Sequence, residues 1–294
     1  MTAAADLAPS SNFAAKIERW RETGRALAGN PAALAGGAIV LVLALMALAA
    51  PALAPADPDV QDLALRLAPP GAQHLLGTDE LGRDILARIL YGSRVTLSVV
   101  AVIGLSVPAA GLVIGCLAGM SGGILDAVLM RTADVFLAFP RLILALALVA
   151  AMGPGLDHAL IAIGLAAWPP YARLARAETL SLRGRDFIAA ARLAGASPAR
   201  ILVRHIAPLC LPSLIVRASL DMAGVILTAA GLGFLGLGVA PPTAEWGAMI
   251  AAGRRFMLDQ WGVAAAPGVA IAVATLGFNL LGEGLRDVLD PRQR

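Results

Sequence analysis

The chain alternates between long apolar runs without a charged side chain and shorter polar stretches that hold nearly all of its charge. No charge occurs from Ala26 to Ala56, and none again from Val95 to Leu125. About 20 apolar residues in a helix cross a bilayer, so these runs predict spans near 34–54 and 95–118. Two shorter runs, 142–156 and 158–172, predict a third span near 129–152 and a fourth near 156–173. Both qualify only if polar residues enter the membrane at their ends. A fifth span is expected near 210–238 and a sixth near 263–282. Proline punctuates the pattern. Pro108 should kink the second span, Phe139-Pro140 should break the third, and Pro169-Pro170 should distort the fourth. Gly111, Gly115 and Gly119 give two overlapping GxxxG spacings, a face for close helix packing.

Composition narrows the class. Only 15% of the 294 residues are charged and the mean hydropathy is +0.78, against about 25% charged for a soluble domain. The expected fold is an all-α polytopic membrane protein of six transmembrane helices. It forms one transmembrane domain over 31–292, preceded by a basic segment, 1–30. Within that segment Ile17, Trp20 and Arg21 suggest a short helix on the membrane surface. The sequence Ala52-Leu53-Ala54 resembles a signal-peptidase site, but the preceding polar region is too long and further spans follow, so the first span is expected to remain. Cys116 and Cys210 lie in apolar surroundings and form no CxxC motif; they read as small buried hydrophobes.

The position of the charges sets the orientation. With six spans, one side holds 1–30, 120–141, 173–204 and 283–294, whose Lys and Arg number 4, 2, 7 and 3, a sum of 16 of the 23. The other side, 55–91 and 240–262, holds 3 and 2. The positive-inside rule then predicts that both termini are cytoplasmic.

The most arginine-rich stretch follows the fourth span. Asp186 suits a helix N-cap, and Phe187, Ala190, Ala191 and Ala194 fall at i, i+3, i+4 and i+7, a small apolar face. Gly195 is a helix stop. Ala196 follows, Ser197 caps a second helix, and Pro198 takes its first position. Such a helix in a basic loop suits docking into another protein's cleft.

Other candidate sites are fewer. Arg217 and Asp221 stand four apart in the fifth span and are expected to pair with each other. They sit either at the cytoplasmic end of the helix or within a pathway. The turn Gly77-Thr78-Asp79-Glu80-Leu81-Gly82-Arg83-Asp84 precedes an amphipathic helix that Thr78 or Asp79 would cap. His74 near Asp79 and Glu80 lacks a second His or Cys at ligand spacing, so no metal site is expected. The glycine-rich run Gly231–Gly238 is not a phosphate loop, since no Lys-Ser/Thr pair follows it; packing at a bent helix end is the expected use. Neither a Walker motif nor a nucleophilic Ser/His/Asp set occurs, so the chain is expected to perform no chemistry of its own.

Several of these motifs carry a family resemblance. Ala190-Ala191, Gly195, Ile206 and Pro208 are similar to the EAA loop of the membrane subunits of bacterial ABC importers; where that loop usually opens with Glu, this chain has Ala189. The resemblance extends over roughly 30–292. It includes His74–Leu97 with Gly77, Thr78, Asp79, Gly82, Arg83 and Asp84; the segment Pro241-Pro242-Thr243-Ala244-Glu245-Trp246-Gly247; and Asn279–Arg292. These resemble the second permease subunit of dipeptide, oligopeptide and nickel ABC importers. The resemblance implies a type I permease fold with a cytoplasmic coupling helix, in a bacterial inner membrane. It also implies four kinds of partner: a homologous permease, two cytoplasmic ATPase subunits that bind ATP and Mg, an extracytoplasmic solute-binding protein, and membrane lipid. No nucleic acid is implied, and no cofactor on this chain. The implied cargo is di- or oligopeptide, with nickel or another small solute such as glutathione as alternatives. Two rivals remain, an ion-driven secondary transporter and a non-transporting membrane scaffold. The first usually needs acids deep in the spans, and only Asp221 and Asp134 qualify.

Overall fold

The structure is a computed structural model that describes residues 24–289. The surface helix expected around Ile17–Arg21 and the tail after Leu289 lie outside the described residues. Every regular element among the described residues is helical, apart from one isolated bridge between Thr78 and Asp84.

Helix α1, Pro31–Leu53, takes up the first apolar run. Asn30 caps it by accepting a hydrogen bond from the Ala33 amide at 3.0 Å, and Pro31 occupies the first turn, where no N–H partner is needed. Leu41, Val42, Leu45 and Leu48 face outward, Leu48 at 80% exposure; lipid is the environment in which such a surface is stable.

Helix α2, Ile85–Ser121, has 37 residues and therefore runs about 55 Å, well beyond the bilayer core. Its cap is Asp84, whose Oδ1 accepts from the Ala87 amide at 2.7 Å. Thr78 and Asp79 do not cap it, because the preceding turn uses both of them. Thr78 Oγ1 bonds to Leu65 O, and Asp79 binds Arg83 through Nε at 2.7 Å and the backbone amides of Leu81 and Arg83.

The third expected span is broken. Helix α3, Gly123–Leu137, and helix α4, Arg141–Met152, meet at 93° across the Phe139-Pro140 break. Helix α5 is Leu156–Leu182 and helix α6 is the short Asp186–Leu193. Helix α7, Pro198–Phe234, is continuous but contains a π-helical stretch over Leu202–Ile206. Helix α8, Trp246–Gly253, and helix α9, Gly262–Leu289, complete the chain.

Four helices, α1, α2, α7 and α9, are long and apolar enough to cross a membrane, and α3 with α4 supplies a fifth crossing if the bent pair counts as one. The expected number of six is not reached on length and composition. Helix α5 is long enough, but its charge-free run is only 158–172, holds the less apolar Trp168, Pro169, Pro170 and Tyr171, and is flanked by Asp157 and Arg173.

Small residues set the packing. A Cβ on Gly111 would lie 2.3 Å from the Tyr171 Cβ, one on Gly115 2.2 Å from the Ala172 oxygen, and one on Gly119 2.7 Å from the Thr179 Cβ. The GxxxG face of α2 therefore lies against α5. The same device joins α1 to α9: a Cβ on Gly36 would meet the Leu281 nitrogen at 2.2 Å, and one on Gly284 the Ala33 Cα at 2.5 Å. Cys116 and Cys210 are both buried, as small hydrophobes would be.

Candidate functional site

Three clusters hold the residues singled out by the sequence. The first is α6 and its flanks. Arg185, not Asp186, is the N-cap residue of α6; Asp186 occupies the first turn, where its charge still complements the helix dipole. The C-terminus closes as a Schellman motif. The Gly195 amide donates to Arg192 O and the Ala196 amide to Ala191 O, both at 3.0 Å, with Gly195 at φ 79°. A left-handed φ of this size is costly for a residue with a Cβ, which explains glycine here. Ser197 Oγ then accepts from the Arg200 amide at 3.3 Å, capping α7 behind Pro198.

Side-chain placement divides α6 sharply. Ile188 is fully buried and anchors the helix, as Ile206 anchors the start of α7. Phe187, Ala190 and Ala194 are exposed and Ala191 is half-buried, while Leu193 is 91% and Val203 67% exposed. Pro208 is exposed one turn beyond Arg204. Ile188 escaped the sequence reading because it lies off the small-residue face; its β-branched bulk among alanines was the available signal. At the root of α6, the Arg183 guanidinium donates to Gly119 O at 2.8 Å, tying the end of α5 to the end of α2.

The second cluster lies inside the bundle. Asp221 does not pair with Arg217 on its own helix. Its Oδ1 accepts from Arg141 Nη1 of α4 at 2.8 Å, and its Oδ2 accepts from the Tyr171 hydroxyl of α5 at 3.2 Å. The i, i+4 spacing places Arg217 and Asp221 near one another, but Arg217 is exposed, whereas Asp221 turns toward the neighbouring helices. Asp221 stands 14 residues after Ala207 and 13 before Phe234, midway along the α-helical part of α7. Arg217 and Asp221 therefore sit along the body of the helix rather than at either of its ends. The signal for Arg141 was a charge placed directly after a helix-breaking proline within an apolar run. Asp134, the other acid in an expected span, binds Arg173 of α5.

The third cluster joins the two long loops. Arg88, 5% exposed, donates through Nη1 to Pro58 O at 2.9 Å and to Pro242 O at 3.3 Å, and lies 3.4 Å from Asp59. His74 Nδ1 is 2.8 Å from Asp84 Oδ2. A Cβ on Gly82 would overlap the Asp62 oxygen, and one on Gly77 would approach the Ala68 oxygen at 2.5 Å, so the turn folds tightly back on residues 62–68. Trp246 is buried, and its Nε1 donates to Ile89 O at 3.0 Å.

Glu245 caps α8 through both carboxylate oxygens, which accept from the Gly247 and Ala248 amides at 2.8 Å. Its carboxylate fills the space that Gly233 leaves, since a Cβ there would fall 1.8 Å from Oε2. Gly247 is held as closely: a Cβ would fall 2.1 Å from Ala230 O. The glycine-rich end of α7 is thus a packing surface for α8. Burial raises the Glu245 pKa above the ordinary carboxyl value, against the two amide hydrogen bonds that lower it.

Comparison with known proteins agrees with this architecture. Residues 111–294 match the family model of the binding-protein-dependent transport system inner membrane component, and residues 18–70 match the N-terminal transmembrane domain of oligopeptide transport permease C. A probable D,D-dipeptide transport system permease protein of Escherichia coli is 46% identical over 90% of this chain and 89% of its own. A di/tripeptide transport system permease protein of Pseudomonas aeruginosa is 44% identical over 92% of each. A nickel transport system permease protein of Escherichia coli is 47% identical over 86% of this chain and 91% of its own. Among solved structures, the MetNI methionine ABC transporter in an inward-facing conformation aligns at a TM-score of 0.55 with 21% identity, over 69% of this chain and 97% of the other, and shows the shared fold. With its apolar helices, its broken third span and matches that run nearly end to end, the chain belongs to the family of binding-protein-dependent transport system inner membrane components, the multi-pass permease subunits of ABC importers.

Proposed function

We propose that this permease carries di- or oligopeptides inward, together with a homologous permease, two cytoplasmic ATPase subunits and an extracytoplasmic solute-binding protein. ATP and Mg reside in the ATPase subunits, and this chain supplies the path. Both termini and α6 lie in the cytoplasm; the 16 arginines and lysines on that side support this orientation. The observation that carries the reading is α6 itself. It is a short helix with a buried Ile188 below and an exposed face of Phe187, Ala190, Leu193 and Ala194 above, set between two long helices.

That face docks in a groove of an ATPase subunit. Closure of the ATPase pair moves α6, and α5 and α7 follow because both are joined to it by tight turns. Shifting the path from 1:99 to 99:1 in favour of one access state takes about 5.5 kcal/mol of differential binding, which ATP-driven closure and the docked binding protein share. The peptide assignment follows the D,D-dipeptide and di/tripeptide relatives; nickel is the second reading, because the nickel relative matches equally well.

Gly195→Glu tests the mechanism. No heavy atom lies within 4 Å of a Cβ at this position, so the side chain itself fits, while φ 79° opposes it and a charge enters the docking surface. The variant is expected to reach the membrane at the normal level and to leave ATP hydrolysis running while uptake stops. Unimpaired uptake refutes the lever. Uptake of a labelled dipeptide against that of radioactive nickel ion, in the same vesicles, decides the cargo.

A further inference from the structure

The charge cluster inside the bundle has a sign. Arg141, Arg217 and Asp221 sum to one net positive charge, and Arg217 stands one helical turn before the Asp221 that Arg141 and Tyr171 bind. Both oxygens of Asp221 are already occupied, one by Arg141 and one by Tyr171. Among the described residues no carboxylate lies within ion-pair distance of Arg217, although it is exposed on the middle third of α7. Arg141 also keeps unused capacity, because its Nε and Nη2 are buried without an acceptor. The other interior acid, Asp134, is bound to Arg173 and offers neither arginine a partner.

An unpaired cation on a helix that crosses a membrane is costly against lipid, so the surface that exposes Arg217 faces water or protein rather than hydrocarbon. A surplus positive charge on such a surface repels a metal cation and attracts an anion. Guanidinium groups bind carboxylates through paired, charge-assisted hydrogen bonds.

We infer that Arg217, positioned beside the Arg141–Asp221–Tyr171 cluster, is a recognition residue that receives the carboxylate of a transported solute on its way across the membrane. For a peptide this is the C-terminal carboxylate. Arg141 serves as the positioning residue: it holds Asp221 away from Arg217 and so leaves that guanidinium available. The inference rests on the peptide reading above and makes it narrower, since the path itself then selects for a free carboxyl terminus.

The test uses the full assembly in proteoliposomes, with labelled dialanine and its C-terminal amide as probes. Both are supplied above the concentration that saturates the binding protein, so its own preference drops out. The wild type is expected to move dialanine faster than the amide. Arg217→Gln is expected to lower the dialanine rate about tenfold, the effect of losing a charge-assisted hydrogen bond, and to leave the amide rate as it was; Arg217→Lys should retain part of the preference. The thermal midpoint of R217Q should equal that of the wild type, because Arg217 holds no partner in the fold. Equal loss of both rates, or no loss of either, overturns the carboxylate site while leaving peptide transport standing. Uptake of nickel ion with no uptake of either dipeptide overturns the site and the peptide reading together.

Discussion

The α2–α5 interface yields a quantitative expectation at Gly115. Replacing this glycine by alanine places a methyl group 2.2 Å from the Ala172 oxygen, 2.7 Å from the Ala175 Cβ and 2.8 Å from the Arg176 nitrogen. All three neighbours are backbone atoms or a Cβ, so no rotamer change relieves the overlap, and the two helices must separate by about 1 Å to reach ordinary contact distance. Overpacking of this kind costs about 1–3 kcal/mol, and parting the helices also loosens the neighbouring contacts at Gly111 and Gly119. Alanine returns about 1 kcal/mol through its better helix propensity. The balance is a net loss of up to about 2 kcal/mol, which should lower the midpoint of thermal unfolding in detergent by up to several degrees. Gly164→Ala is the internal control. Its Cβ would lie 3.7 Å from Val107 and 3.8 Å from Ile103, ordinary van der Waals contact, so only the propensity gain remains. G164A should match or exceed the wild type. Exposure of Cys116 and Cys210 to a fluorogenic maleimide reports the transition, since both thiols are buried in the folded bundle. An unchanged or raised midpoint for G115A would refute the close-packing argument.

Three further outcomes follow from α8 and its cap. Trp246→Phe keeps the apolar volume but leaves Ile89 O without its indole donor; it should cost about 1–2 kcal/mol in the same unfolding assay. Glu245→Ala removes the acceptors of two amides and should cost about 1–2 kcal/mol, with Glu245→Gln intermediate, since only one of its two terminal atoms still accepts. The pH dependence of Glu245 has a definite sign. Its folded pKa is raised, so its contribution to stability is fully present below the unfolded carboxyl value of about 4.3 and is lost as pH rises through the folded value. The wild-type midpoint should therefore fall relative to that of E245Q as pH increases across this window, and parallel curves would contradict the assignment.

Helices α1, α2 and α9 were legible because a charge-free run longer than a bilayer has few alternatives, and the break at Phe139-Pro140 because proline leaves its mark locally. The α2–α5 contact was legible in the GxxxG spacing, though not the identity of its partner. What escaped depends on contacts across the bundle. Periodicity on a single helix pairs Arg217 with Asp221, but a carboxylate chooses among all neighbours, and Arg141 and Tyr171 reach it from two other helices. The cap of α2 was read as Thr78 or Asp79, since nothing local reveals that Asp79 is bound to Arg83 and the turn amides. The fourth expected span, α5, was the least legible element. Its prolines and Tyr171 lower its hydropathy, and burial against α2 rather than apolar length makes such residues tolerable.

The π-helical stretch Leu202–Ile206 has a consequence for alignment between α6 and the membrane-embedded part of α7. A widened turn amounts to one residue more than an unbroken α-helix requires, and each residue of an α-helix corresponds to about 100° of rotation. Winding the same residues as a regular α-helix would swing whatever precedes Leu202 by roughly that angle relative to Asp221, and the widened turn absorbs the extra residue instead. The widened turn thus acts as an angular setting: it fixes the rotation of α6 about the axis of the helix that follows, with Ile206 as its buried pin.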